Sequence, residues 1–369
     1  MRIREHLNIL TFISVLFLLF IFMFSLLRFP QITAKGISYG ITVCTESVIA
    51  SLFPFMIISS FMLKSNIAYR LSAVIPDIYE KAFLLPKESA AVILISFIGG
   101  YPVGAFMIKE LYEQNIITKS QGLRMLTFCV NPGPSFIIGY VGAYLLGSTK
   151  AGVIIYCSII IASLLTAVFT RNSNQYTYTK IKSKKEIQPK SSYISSFTDA
   201  VKDSTSSIIS VCSFVILFSM LNELWIQFAK NDELRMLFSC IFEVTNAMGV
   251  YAKAFPLYIS AAVLSFGGLC VHFQIMPVLL ALRSGFPIFI LKKLSVALLS
   301  ALFCKLILVI FPCEISVSNI TQNAFTYTGS NTGISICMLI MSIIFLLGDK
   351  TVFKIKFNFG GAVEKREKI

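Results

Sequence analysis

The sequence predicts an all-α polytopic membrane protein, and three observations predict it. Of the 369 residues, 56% are hydrophobic and only 14% are charged, against about 45–50% and about 25% in an ordinary soluble domain. The mean hydropathy is +0.79. The apolar residues also fall in long blocks, such as Ile9–Leu27, Ala151–Phe169 and Ile334–Leu347. A bilayer core of about 30 Å takes about 20 such residues in a helix, so the chain has room for about eight transmembrane helices.

The net charge of +14 follows the membrane pattern and does not point to nucleic acid. Lys and Arg cluster between the apolar blocks and at the C-terminus, as they do in cytoplasmic loops. Arg171–Lys190 holds six Lys/Arg and one Glu, the segment after Gly348 holds six Lys/Arg and three acids, and Phe311–Thr332 holds no Lys or Arg. The expected partners are therefore the lipid bilayer and a small-molecule solute, with no nucleic acid; a homo-oligomer stays open. The nine cysteines show no CxxC spacing. Most lie in apolar segments, where Cys acts as a small hydrophobe, so neither a disulfide framework nor a metal site is expected.

The segments follow in order. Met1, Arg2, Ile3 and Arg4 precede an apolar run to Leu27, too long for a typical signal-peptide core and lacking a small-residue cleavage site. Residues 1–35 therefore read as an N-terminal membrane anchor. The second span is expected over Ile41–Leu63 and carries Glu46. Asn66–Phe83 mixes Arg70, Asp77, Glu80 and Lys81 with apolar residues, which suits an amphipathic helix at the interface. Ala90–Ile108 is interrupted by Gly99-Gly100-Tyr101-Pro102-Val103-Gly104, and Leu123–Leu146 by Asn131-Pro132-Gly133-Pro134. Gly and Pro at this density do not propagate a helix, so a re-entrant hairpin is expected at the first break. Lys109, Glu110 and Glu113 would then sit at the hairpin mouth. Ala151–Phe169 is an unbroken span.

Residues 171–196 form a polar, basic linker expected on the cytoplasmic side. A polar helix at Phe197–Ser207 runs into a span at Ile208–Phe228. Leu234–Tyr251 is shorter and holds Glu243 and Asn246. Phe255–Leu282 is broken at Gly267-Gly268 and Pro277. Pro287–Phe311 carries Lys292, Lys293 and Lys305, the last near enough its end to snorkel. Gly333–Leu347 is the final span, before a basic tail at residues 349–369.

The two halves, residues 36–170 and 197–348, show a weak pseudo-repeat. The run from Ala90 to Gly100 parallels that from Ala261 to Gly268. Interrupted spans at matching places of two halves are the mark of a transporter-type site. With Arg2 and Arg4 inside, the second span and Ile208–Phe228 run antiparallel, as an inverted repeat requires. A strict inversion would put the basic tail outside, whereas the charge rule puts it inside, with Leu234–Tyr251 crossing; the inside placement is favoured, and the crossing of Leu234–Tyr251 stays open.

Broken helices leave backbone groups unpaired, which a bilayer tolerates only beside protein or a water-filled cavity. Free N–H groups at half-helix N-termini suit an anion. The candidate binding and gating residues are accordingly Gly99, Gly100, Pro102, Asn131, Ser135, Gly267 and Gly268. To these are added the polar groups expected at membrane depth: Glu243, Asn246, His272 and Gln274. Glu46 and Glu243 are candidates for ion coupling. The alternative for the glycines is close helix packing; for Glu46, a place at the membrane edge; for His272, a satisfied hydrogen bond. No Walker sequence, GxSxG or HExxH appears. No catalytic role and no cofactor are expected, and an enzyme is disfavoured.

Four runs carry a resemblance: Phe97-Ile-Gly-Gly-Tyr-Pro-Val-Gly-Ala-Phe, Phe128-Cys-Val-Asn-Pro-Gly-Pro-Ser-Phe-Ile-Ile-Gly, Glu243-Val-Thr-Asn-Ala-Met-Gly and Ser265-Phe-Gly-Gly-Leu-Cys-Val-His-Phe-Gln. Over roughly Ile41–Phe311 the chain resembles the YlbJ (stage V sporulation protein V) family of sporulation integral membrane proteins, within the nucleoside-recognition or gate-domain group. The resemblance implies a two-gate transporter with helical hairpins. It implies movement of dipicolinic acid into the forespore, across the outer forespore membrane of an endospore-forming bacterium. A nucleoside-like solute of the wider group and a non-transporting sporulation scaffold are the alternatives.

Overall fold

The computed structural model describes residues 2–72, 74–172 and 192–313, and every regular element among them is helical. The chain opens with α1 (Arg2–Arg28), which stops at Phe29 before Pro30. Helix α2 (Pro30–Lys64) starts there because proline suits a first helical turn, where its missing N–H is unneeded. It carries a π-helical turn at Cys44–Val48 and Pro54 in its interior. After it come α3 (Glu88–Gly99), α4 (Tyr101–Glu113), α5 (Lys119–Cys129), the π-type helix α6 (Ser135–Leu145) and α7 (Thr149–Phe169). The second part holds α8 (Tyr193–Ile226), α9 (Asp232–Phe242), α10 (Val244–Tyr251), α11 (Leu257–Phe266), α12 (Gly268–Gln274), α13 (Met276–Ala281) and α14 (Phe286–Ile310).

Among the described residues five helices are long and apolar enough to cross a membrane: Pro30–Lys64, Thr149–Phe169, Tyr193–Ile226, Leu257–Gln274 and Phe286–Ile310. The expected spans over Ala90–Ile108 and Leu123–Leu146 are not among them, and their breaks are the reason. Helices α3 and α4 have 12 and 13 residues. At 1.5 Å per residue each reaches only about 20 Å, short of a core of about 30 Å. Leu234–Tyr251 is likewise two short helices, α9 and α10, separated by Glu243 in extended geometry (φ −149°, ψ 116°). The interfacial helix expected over Asn66–Phe83 is also two pieces, Ile67–Ser72 and Ile78–Phe83, with Pro76 between them. The second span starts at Pro30, well before the expected Ile41. The expected span Gly333–Leu347, the basic tail and most of the basic linker lie outside the described residues.

The first glycine break is a hairpin. A Cβ placed on Gly104 of α4 would lie 2.7 Å from the Cβ of Ser96 in α3, so the two half-helices fold back on each other. The second glycine break differs. Helix α11 packs on α7 and α14, whereas α12 packs on α8 and α9, so the chain is redirected there between two sets of neighbours. The two Gly-Gly breaks thus have different surroundings.

Small residues let the long helices approach closely. Gly36 and Gly40, one turn apart on α2, face α8. A Cβ on either would come within 2.7 Å of an α8 backbone atom, Met220 Cα and Ile216 Cα respectively. Such small-residue pairs let helix backbones meet in membranes, where lipid supplies no hydrophobic drive between helices. Helix α14 shows the accompanying inversion of polarity. Its outer face exposes Leu291, Leu294, Leu298, Leu302 and Leu306, while Lys293, Ser300 and Cys304 are buried.

Replacing Gly40 by Leu forces α2 off α8 and is expected to lower stability by about 1–3 kcal/mol, the usual range for overpacking. Gly139→Ala, at a glycine with nothing within 4 Å of the added methyl, should leave it unchanged. Thermal unfolding of both variants in detergent checks the pair; equal midpoints would refute the packing role.

Candidate functional site

Four helix breaks meet in the interior, and each has a local chemical cause. At the hairpin tip Gly100 has φ +86°, a left-handed conformation that glycine adopts without the strain of a side chain. At the second break Pro132 and Pro134 lack an N–H and cannot continue α5. Gly267 and Gly268 turn the chain with φ +83° and +71°. Glu243 is the fourth, with its carboxylate used as a cap: Oε2 accepts from Asn246 N–H at 2.7 Å and Oε1 from Thr245 Oγ1–H at 3.0 Å.

The breaks touch in sequence. A Cβ on Gly133 would lie 3.3 Å from Gly100 N, one on Gly267 3.1 Å from the Tyr101 ring, and one on Gly268 3.4 Å from Glu243 N. A side chain at any of these positions would crowd a neighbouring break. Between them is a cavity of about 40 Å³, room for about three waters at roughly 10–15 Å³ each. Tyr101 and Pro102 line it from the start of α4, Pro132 and Gly133 from the second break, and Val244 and Thr245 from the start of α10. Val48, Ser51 and Leu52 of α2, Phe136 of α6, Val211 and Val215 of α8, and Val271 and Gln274 of α12 complete the wall. Glu243 is the only Asp, Glu, Lys or Arg in the lining.

The two kinds of helix end are treated differently. Carbonyls at the C-terminal ends receive dedicated side-chain donors. Tyr156 donates to Phe97 O of α3 at 2.9 Å, and Tyr101 donates to Leu264 O of α11. At the Asn-Pro-Gly-Pro break the match is residue by residue. Pro132 and Pro134 cannot supply the N–H groups that a continuing helix would send to Phe128 O and Val130 O. Asn131 Nδ2 donates to Phe128 O at 2.6 Å, and Lys293 Nζ donates to Val130 O at 2.5 Å. The N-terminal ends of α4, α6 and α12 carry no side-chain cap, and the start of α4 faces the cavity.

The candidate residues from the sequence separate accordingly. Gly100, Gly267 and Gly268 are at the breaks; Pro102, Glu243 and Gln274 line the cavity. Gly99 is buried beside Val103 at the tip. Asn131 and Asn246 are buried behind the wall, accepting from Ser163 Oγ–H at 3.2 Å and Ser219 Oγ–H at 3.1 Å. Ser135 and Glu46 are exposed and outside the lining. His272 points away from it. Its Nδ1–H donates to Gly268 O, four residues back, at 2.5 Å, and its ring packs among Phe266, Phe286 and Phe289. Sequence reasoning missed Tyr101, Thr245 and Lys293. The two prolines were the available signal for Lys293, since each implies a buried donor from elsewhere in the chain. Among the described residues no group of three or more His, Cys, Asp or Glu could hold a metal ion.

The chain is distantly similar to the sporulation integral membrane protein YlbJ of Bacillus subtilis, with 22% identity over 318 residues, covering 75% of this chain and 78% of that protein. No family model matches, and no solved structure matches.

Glu243→Ala removes the cap of α10 and is expected to lower stability by about 0.5–2 kcal/mol. Glu243→Gln keeps an acceptor oxygen and should lose less. Thermal midpoints in detergent would test this, and an undiminished Ala variant would show that the cap carries no weight.

Proposed function

We propose that this protein is a membrane transporter of a small solute. The observation that carries the reading is the convergence of three helix breaks, at Tyr101–Pro102, Pro132–Gly133 and Glu243, on one cavity, with Gly267 and Gly268 packed against two of them. Non-helical backbone at membrane depth is tolerated where it lines a cavity or is buried in protein, and half-helix ends are the usual ligands of transporter sites. In this reading the halves pair by element order. Helix α2, the α3–α4 tip, the broken α5–α6 and α7 answer to α8, the α9–α10 break, the broken α11–α12 and α14. The partner of the Gly99–Gly100 tip is then the Glu243 break. The cavity as it stands has a volume of about 40 Å³, too small for such a solute, which enters when the α3–α4 tip parts from Gly133 and Gly267.

The solute we favour is a small anion such as dipicolinic acid, moved into the forespore. The uncapped N–H groups at the start of α4 suit a carboxylate, and the resemblance to the YlbJ family supports the same choice. Glu243 sets a condition on it. Two like charges in one low-dielectric site repel, so an anion enters when Glu243 holds a proton, which makes Glu243 the coupling residue. A second reading, a neutral nucleoside-like solute, is favoured by the lining itself, where Ser51, Thr245 and Gln274 offer hydrogen bonds and no Lys or Arg is present. The location is the bacterial cytoplasmic membrane, and the outer forespore membrane if the sporulation role holds.

Purified protein in proteoliposomes should take up labelled dipicolinate saturably and faster with an acidic exterior. Glu243→Gln should abolish the pH dependence. Uptake of uridine without dipicolinate would replace the first reading by the second. Uptake of neither, in either orientation, would leave a non-transporting membrane scaffold.

A further inference from the structure

Lys293 lies inside the bundle with 1% of its surface exposed. Its ammonium meets no carboxylate among the described residues; its hydrogen bond is the one to Val130 O. An ammonium buried without a counter-charge is strongly disfavoured. What compensates it is backbone. Helix α5 ends at Cys129, and a helix C-terminus carries roughly half a negative charge. Pro134 has removed the donor that Val130 O would receive in a continuing helix. A carbonyl-rich end of an interrupted membrane helix is the kind of place where transporters coordinate an alkali cation. Here the position beside the carbonyl is filled by the chain's own cation. Just beyond it, Pro132 and Gly133 line the cavity, and Gly133 lies against the Gly100 tip.

We propose that the Lys293 ammonium is a tethered cation at the broken end of α5, filling a site that would otherwise bind a dissolved alkali ion. It holds the Asn131–Pro134 break in shape, so the assembled site needs no sodium or potassium. The consequence for transport, uptake without an alkali-ion gradient, rests on the transport reading above; the cation site itself does not.

The test is thermal unfolding of the full chain in detergent, titrated at constant ionic strength with sodium, potassium, ethylammonium or choline chloride. The wild type should unfold at one midpoint in all four salts. Lys293→Ala should unfold several degrees lower and recover saturably in sodium, potassium or ethylammonium, but not in choline, which is too large for the vacated space. A variant no more responsive to the small cations than to choline would overturn the proposal, as would a wild type that gains from sodium or potassium. If the Ala variant does not fold, Lys293→Arg and Lys293→Met decide. Arg should stay near the wild type and Met, matched in length but neutral, should fall; Met at or above the wild type refutes the tethered cation. Absence of solute uptake would leave this thermal readout intact, so the two readings fail separately.

Discussion

Backbone polarity at membrane depth is the constraint on which the rest of this structure depends. In hydrocarbon an unpaired N–H or C=O has no water to turn to, and leaving one unmade costs several kcal/mol. An unbroken helix such as α7 satisfies its own. The chain departs from that solution at Gly99–Gly100, Asn131–Pro134, Glu243 and Gly267–Gly268. The three Gly/Pro departures release carbonyls that side chains must meet. Tyr156, Tyr101, Asn131 and Lys293 meet them, and three of these four reach a helix other than the one they flank.

That requirement explains why the breaks lie together. A side-chain donor serves a broken end only if a neighbouring helix passes close to it, so the breaks collect in the interior and share neighbours. Close approach then demands small residues at the meeting points. Gly133 lies against Gly100, with too little room for a side chain, and Gly268, at φ +71°, lies against the Glu243 backbone. The same glycines therefore make the turns and permit the turns to touch.

The C-terminal ends are closed by fixed side chains, whereas the start of α4 is left open toward the cavity. Only Glu243 caps an N-terminal end there, and it does so with an acid. The site thus has fixed donors behind the wall and free backbone N–H groups facing inward. Its single carboxylate has a charge state that bears on what can be held beside it. A distant likeness to a sporulation membrane protein agrees with a membrane location.

What the sequence determined by itself was local. The membrane class follows from composition, because burial in lipid needs only apolar length. The three Gly/Pro interruptions were readable, because glycine and proline break helices through their own covalent geometry, and Asn131, Glu243 and Gln274 drew notice because polar groups in apolar runs stand out. The tertiary structure decided where several apolar segments end, because the chain folds back at Gly100 and leaves helical geometry at Glu243. It decided that Glu46 and Ser135 are exposed and that His272 faces an aromatic cluster, since the side of a helix that meets the cavity depends on its neighbours. It also placed Lys293, 163 residues along the chain, on the carbonyl orphaned beside Asn131. A proline announces that a donor is missing, but only the packing of distant helices determines which residue supplies it.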